Sequence, residues 1–434
     1  MPRTMIRTAP LGAALLALML TACGGGGTSQ EADATALAAR QPPAPPTAPA
    51  TPPVRPVPPV APLPTAAQVQ LGRLIFTDNN LSEPRGTACA ACHQPTMGFA
   101  GNHGSTIGVA LGSQPGSLGL RNAMTNSYAG FVPAFSFVTT DGITEAVGGH
   151  FWDGRADTLA LQALGPLLNP LEMNNPSRQA VVDKVAQSNY APLFRQTFGA
   201  NIFNDTAAAF TQIGMAIEAF ERSALQPFNS KYDAMVRGQA TLSPPEARGM
   251  ALFMDPRRAN CAGCHLMNPT SCNPQDSLFS EFSYYATGIP RNTAITKNAD
   301  PAFYDLGLCG PDRSAPDLPA TVATGVNIEQ FCGQFRMPTL RNVAERPAFM
   351  HNGFFKDLRE VVRFYATRNS DPQRWYGPTA LPNDLPTRYQ GNIEKVKAPF
   401  NRSPADGPAL TEAEVNDIVA FLRTLSDGFV PALP

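Results

Sequence analysis

At 434 residues the chain is long enough for two or three domains, each with a core of its own. A formal net charge of -1 argues against nucleic acid as a partner, because binding it calls for a basic stripe. Charged residues make up only 15%, beside 35 glycines and 44 prolines, so many turns and long irregular connections are expected.

The chain opens with Arg3 and Arg7 and an apolar run from Leu11 to Leu20, which is too short to span a membrane and has the parts of a secretory signal, residues 1–22. Leu20-Thr21-Ala22-Cys23 resembles a bacterial lipobox. That would make Cys23 the acylated first residue of a lipoprotein held at the outer membrane; a plain cleaved signal is the alternative. Both place the mature chain in the periplasm, an oxidising compartment. Residues 23–64 read as a linker: Gly24 to Gly27 begin it, and residues 41–64 carry twelve prolines, a semi-extended polyproline II composition that does not enter a core.

Residues 65–76 have helical apolar spacing with Thr65 as N-cap. Residues 243–253 repeat the theme: Ser243 caps, Pro244 follows, and Gly249-x-x-x-Phe253 matches Gly72-x-x-x-Phe76. Each leads into a Cys-x-x-Cys-His, and each half later contains Leu-Arg-Asn, at 120–122 and 340–342. Trp152-Asp153-Gly154 is echoed by His351-Asn352-Gly353; seven residues past the anchors stand Leu159 and Leu358, and fourteen past them Pro166 and Tyr365. Features recurring in one order imply a duplication, with domains at 65–240 and 241–434. Residues 207–223 form a strongly periodic helix, and residues 229–242 a helix running into the junction. The chain closes with a capping box, Thr411 and Glu414, before Val415, Ile418, Val419, Leu422 and Leu425 on one helical face. Long alternating strand patterns are absent, so the fold class is mainly α with long loops.

Cys89-Ala90-Ala91-Cys92-His93 and Cys261-Ala262-Gly263-Cys264-His265 carry the chemistry. Two cysteines at this spacing form thioethers to one haem, and the adjacent histidine becomes the proximal iron ligand. Two copies therefore indicate two covalently bound c-type haems, with His93 and His265 on the irons; zinc would need four ligands per site. Cys272, Cys309 and Cys332 remain, an odd number that allows one disulfide among them and leaves the pairing open.

The segments CAACHQPTMGFAG, FWDGRADTLALQALGPLLNPLEMNN, CAGCH, MPTLRNVAERPAFMHNGFF and LTEAEVNDIVAFLRTL, in this order, resemble the bacterial di-haem cytochrome c peroxidase and MauG family over residues 65–428. The resemblance implies two cytochrome c-like haem domains, the first haem reacting with hydrogen peroxide and the second handling electrons. It implies that Trp152 lies between the haems as electron relay, that Gln162 is the distal glutamine and that Glu172 is the acid/base carboxylate. A carboxylate suits the last role because cleaving a peroxide O–O bond requires moving one proton between its oxygens. Members that need reductive activation place a histidine sixteen residues after the first proximal histidine; here that residue is Val109, and His103 sits in a loop of different length. With Pro166 at the distal position, the first iron is expected to be open.

At the second haem the resemblance implies Tyr365 as the sixth ligand, in the MauG-like manner, where peroxidases have methionine; His351 is the alternative. Phenolate is a hard anionic donor that favours ferric and higher states. Asn122 corresponds to the side chain that helps hold one calcium ion with carbonyls near Arg346 and Ala348, although the family's proline stands one position earlier here. Trp375 is either an exit point for oxidising equivalents or ordinary packing. The function implied is a di-haem peroxidase fed by a small cytochrome c or cupredoxin. The alternatives are a MauG-like enzyme that uses its doubly oxidised state on Trp or Tyr of a partner protein, and a non-enzymatic di-haem electron carrier.

Overall fold

A computed structural model describes residues 63–313 and 326–431. The signal segment, Cys23 and nearly all of the proline-rich linker lie outside the described residues. The main helices are α1 (Ala66–Phe76), α2 (Cys89–Cys92), α3 (Leu159–Leu168), α4 (Arg178–Ala186), α5 (Ala191–Phe198), α6 (Thr206–Ala224), α7 (Lys231–Val236), α8 (Pro244–Met254), α9 (Leu358–Thr367), α10 (Pro372–Tyr376) and α11 (Glu412–Arg423). Among the described residues, strands are limited to two two-stranded sheets, so the molecule is mainly helical with long loops.

Two apolar cores organise the helices. Leu71, Ile75, Phe194 and Ile213 are fully buried in the first, and Phe364, Phe421 and Leu425 in the second. Each such side chain contributes roughly 1.5–3 kcal/mol of burial. The caps that start these helices are those the sequence indicates: Thr65 exchanges hydrogen bonds with Gln68, and Thr411 with Glu414. On α11, Val415, Ile418, Val419 and Leu422 all face inward.

The tightest contact recurs in both halves. A Cβ on Gly72 of α1 would lie 1.9 Å from the Ala216 carbonyl oxygen of α6, and one on Gly249 of α8 would lie 1.9 Å from that of Asp417 on α11. Only glycine lets these backbones meet. Phe76 then packs on Phe220 and Phe253 on Phe421, both with ring centroids 5.3 Å apart. The turn before α3 also recurs before α9. Phe151 and Met350 are left-handed at φ 64° and 69°, as are Gly154 and Gly353 at 69° and 59°. His150 N–H donates to Ala156 O at 2.7 Å, and Phe349 N–H to Phe355 O at 2.9 Å.

One expected mark of the duplication fails. Thr125 Oγ1 donates to Gly98 O at 2.6 Å and accepts from Ser127 N at 3.0 Å. Thr339 Oγ1 does the same with Leu278 O and Arg341 N, at 2.6 and 3.1 Å. Tyr128 and Asn342, three residues on, are both left-handed, at φ 62° and 58°. The structural counterpart of Asn342 is therefore Tyr128, and the two Leu-Arg-Asn triplets match by coincidence. The hydroxyl anchor defines the repeat there, and a threonine carries little signal alone.

Two further expectations change. The helix expected over 229–242 is only Lys231–Val236, because Gly238 turns left-handed at φ 72°. A hairpin is added, β1 (Ser136–Thr140) and β2 (Ile143–Val147), turning on Asp141-Gly142 with φ 52° and 79°. Asp-Gly is a strong type I′ signal, but most strand residues here are exposed and show no apolar alternation. Cys309 and Cys332 form a disulfide, Cα–Cα 5.1 Å, and Cys272 lies outside this bridge.

Gly72→Ala and Gly249→Ala should each destabilise the fold by about 1–3 kcal/mol through overpacking, seen as a lower denaturation midpoint by circular dichroism. Gly391→Ala, with nothing within 4 Å of its added methyl, should leave the midpoint where it is.

Candidate active site

The first Cys-x-x-Cys-His forms α2 and the residue after it, and it lines a cavity of about 430 Å³. His93 Nδ1 lies 3.1 Å from Phe99 O. A carbonyl can only accept, so Nδ1 carries the proton and the lone pair belongs to Nε2. Burial lowers the pKa of His93 and keeps the ring neutral, as an iron ligand requires. The second motif repeats this in a cavity of about 180 Å³: His265 Nδ1 is 3.0 Å from Phe279 O, and burial lowers its pKa to about 4.

The four motif cysteines are free thiols. Burial pushes Cys89, Cys92 and Cys261 up to about 12, the opposite of the lowered pKa that a redox-active Cys-x-x-Cys needs. Among the described residues no three His, Cys, Asp or Glu side chains converge as a zinc cluster would. A pair of unreactive thiols beside a neutral imidazole, on a largely apolar wall, fits a covalently attached haem in each cavity.

Trp152 belongs to the walls of both cavities, as do Asn122 and Arg336. Its indole is buried and fixed by Nε1–H donation to Asn122 O at 2.8 Å. Gln162 on α3, Pro166 and Glu172 join the first wall. Glu172 lies in the loop after α3, where its backbone N–H bonds Asn169 O at 3.0 Å and its carbonyl accepts from Ser113 N at 2.7 Å. Its side-chain Oε2 is buried without a partner. Burial pushes this carboxyl up to about 7, against the weaker pull of Arg155. His103 is not among the residues lining the cavity; its Nδ1 lies 2.8 Å from Leu111 O, and Val109 is fully buried.

In the second cavity, Tyr365 projects from α9. No described residue hydrogen-bonds its hydroxyl, and burial raises its phenol well above the usual range. His351 also lines this wall, but it is committed elsewhere: its ring stacks on Phe335 with centroids 3.6 Å apart, and Nε2 lies 3.1 Å from Asp384 Oδ2. Asn122 Nδ2 lies 3.0 Å from Ala348 O and 3.3 Å from Met350 O. Trp375 packs edge-on against Phe355 and Phe364, with Nε1 bonded to Thr367 Oγ1 at 3.0 Å.

Two wall residues escaped sequence reasoning. His150 lines the first cavity, and burial with nearby Arg336 lowers its pKa to about 3. Glu221 lines it too, its carboxyl pushed up to about 8 by burial, with Oε2 unpartnered. The available signal was a glutamate on the inward face of a periodic helix, next to Phe220 and one turn past Ile217.

The di-haem cytochrome c peroxidase family model matches residues 66–241. The methylamine utilization protein MauG of Paracoccus denitrificans is 33% identical over 365 residues, covering 83% of this chain and 89% of that protein. The cytochrome c551 peroxidase of Nitrosomonas europaea is 27% identical over 374 residues, covering 85% and 84%. Among solved structures, the diheme peroxidase BthA of Burkholderia thailandensis E264 superposes with a TM-score of 0.77 at 41% identity, covering 84% of this chain and 87% of that one. With both cavities, their motifs and these relatives in agreement, the chain belongs to the di-haem cytochrome c peroxidase family and is a two-haem oxidoreductase of that family.

Proposed function

We propose that the chain reduces hydrogen peroxide at a first haem, attached through Cys89 and Cys92 and ligated by His93. Electrons reach it past Trp152 from a second haem, attached through Cys261 and Cys264 and ligated by His265 and Tyr365. The observation that carries this reading is Glu172: a buried carboxyl with an unpaired oxygen, in the wall of the cavity to which His93 belongs. Bound haem supplies the redox chemistry. Glu172 takes the proton from one peroxide oxygen and returns it to the other as that oxygen leaves. A carboxyl whose pKa burial has brought to about 7 can do both near neutral pH. Gln162 orients the peroxide by amide hydrogen bonding. Trp152, shared by both walls, shortens the path for electrons. An electron carrier with both irons capped would have no use for Glu172 and Gln162 in that wall.

The two halves act as separate haem domains meeting near residues 240 and 241. Asn122, with the carbonyls of Ala348 and Met350, converges as an oxygen-rich site; turning the Asn122 amide over would present three oxygens to one calcium ion. Export to the periplasm, with a lipid anchor on Cys23, follows from the N-terminal sequence; no described helix is long and apolar enough to cross a membrane.

A second reading directs the oxidising equivalents to Trp or Tyr of a partner protein, as opposed to a cytochrome c or cupredoxin donor. Tyr365 in the second cavity and the 33% identity to MauG favour it. Turnover of peroxide with a reduced cytochrome c or cupredoxin supports the first reading; peroxide-dependent oxidation of a partner's side chain without such turnover supports the second.

Because Glu172 must start as carboxylate, kcat/KM for peroxide should rise with pH through about 7 and level off above it. Glu172→Gln should abolish that rise and lower the plateau by roughly 10²–10⁴-fold; an unchanged rate and profile would remove Glu172 from the reaction. Tyr365→Phe should convert the electron paramagnetic resonance signal of the second ferric haem and leave that of the first unaltered. Tyr365→Met should raise the reduction potential of the second haem, since a thioether favours ferrous iron.

A further inference from the structure

Glu221 has no part in the reaction proposed above, yet it reaches the first imidazole by a continuous path. Its Oε1 accepts a hydrogen bond from Asn126 Nδ2. The Asn126 backbone N–H donates to Phe99 O at 3.2 Å, and that same carbonyl accepts from His93 Nδ1 at 3.1 Å. Asn126 and Glu221 both line the first cavity.

The duplicated scaffold supplies a comparison inside the same molecule. Ala216 and Phe220 meet Gly72 as Asp417 and Phe421 meet Gly249, so Glu221 corresponds to Leu422. Thr125 and Thr339 are anchored alike, so Asn126 corresponds to Leu340. Leu340 and Leu422 both line the second cavity. The imidazole–carbonyl unit is therefore common to both halves, and the polar pair behind it belongs to the first half alone. Burying a carboxyl with one oxygen unpaired costs free energy. At the sister position the same place in the scaffold holds leucine.

We propose that Asn126 and Glu221 form a positioning pair that holds the Phe99 carbonyl against His93 and so strengthens His93 as a donor to the first iron. This rests on the reading of His93 as iron ligand. A histidine held firmly at Nδ1 is more basic at Nε2, and a stronger axial donor favours oxidised iron. That suits the haem that meets peroxide, whereas the second haem has Tyr365 for the same purpose.

The test uses the holoprotein with Glu221→Leu, which copies the second half, and Glu221→Gln, which keeps an acceptor for Asn126. The readouts are the reduction potential of each haem by spectroelectrochemical titration and the iron–histidine stretching band of the ferrous first haem by resonance Raman. In the leucine variant the first haem should shift toward ferrous by about tenfold, 59 mV for one electron, with a lower iron–histidine frequency. The second haem should stay in place, and the glutamine variant should restore both values. A leucine variant with a wild-type potential and band at the first haem, or with both haems shifted alike, overturns the proposal. Should that variant not fold, Asn126→Ala removes the same Asn126–Glu221 bond from the Asn126 side and carries the same two outcomes. An iron–histidine band at the first haem that persists unchanged in His93→Gly refutes the ligand reading itself, separately from the pair.

Discussion

Each half of this protein depends on one close helix crossing. At Gly72 and Gly249 the absence of a side chain brings one helix backbone against a carbonyl of its partner, and a methyl would already collide at 1.9 Å. The crossing sets where Phe76 and Phe253 lie, and with them the inner faces of α6 and α11. Those faces form part of the cavity walls beside the Cys-x-x-Cys-His motifs.

Inside these walls desolvation is the largest influence on every titratable group that matters. It keeps His93 and His265 neutral, pushes the thiols of Cys89, Cys92 and Cys261 up to about 12, and raises Glu172 and Glu221 toward neutrality. The direction is the same for each acid, but the chemical outcome differs. A thiol held protonated is a poor nucleophile, whereas a carboxyl near 7 can both take up and release a proton near neutral pH. Tyr365 sits at the far end of this scale: burial raises its phenol well above the usual range and holds it protonated.

The two halves share a frame and differ in what they place on it. Pro166 and Tyr365 stand fourteen residues past matching anchors. Asn126 and Glu221 stand where Leu340 and Leu422 stand in the other half. Duplication therefore left the imidazole–carbonyl unit untouched and changed the side chains around it. Trp152 stands in the walls of both cavities.

Much of this was legible in the linear chain. The haem motifs are local and fixed in spacing, helix caps are local hydrogen bonds, and the amphipathic face of α11 is a periodicity, so each could be read without knowing what folds against it. Trp152, Gln162, Glu172 and Tyr365 were reachable through resemblance, and each does line the expected cavity. What needed tertiary structure was every relation between distant segments. The Leu-Arg-Asn triplets looked equivalent until the hydrogen bonds of Thr125 and Thr339 aligned Tyr128 with Asn342. The commitment of His351 to Asp384 and Phe335 and the reach of Glu221 through Asn126 to the Phe99 carbonyl depend on contacts between segments apart in sequence. Spacing along one element is carried by the chain itself, but desolvation and orphaned hydrogen-bonding groups exist only once separate elements close around a site.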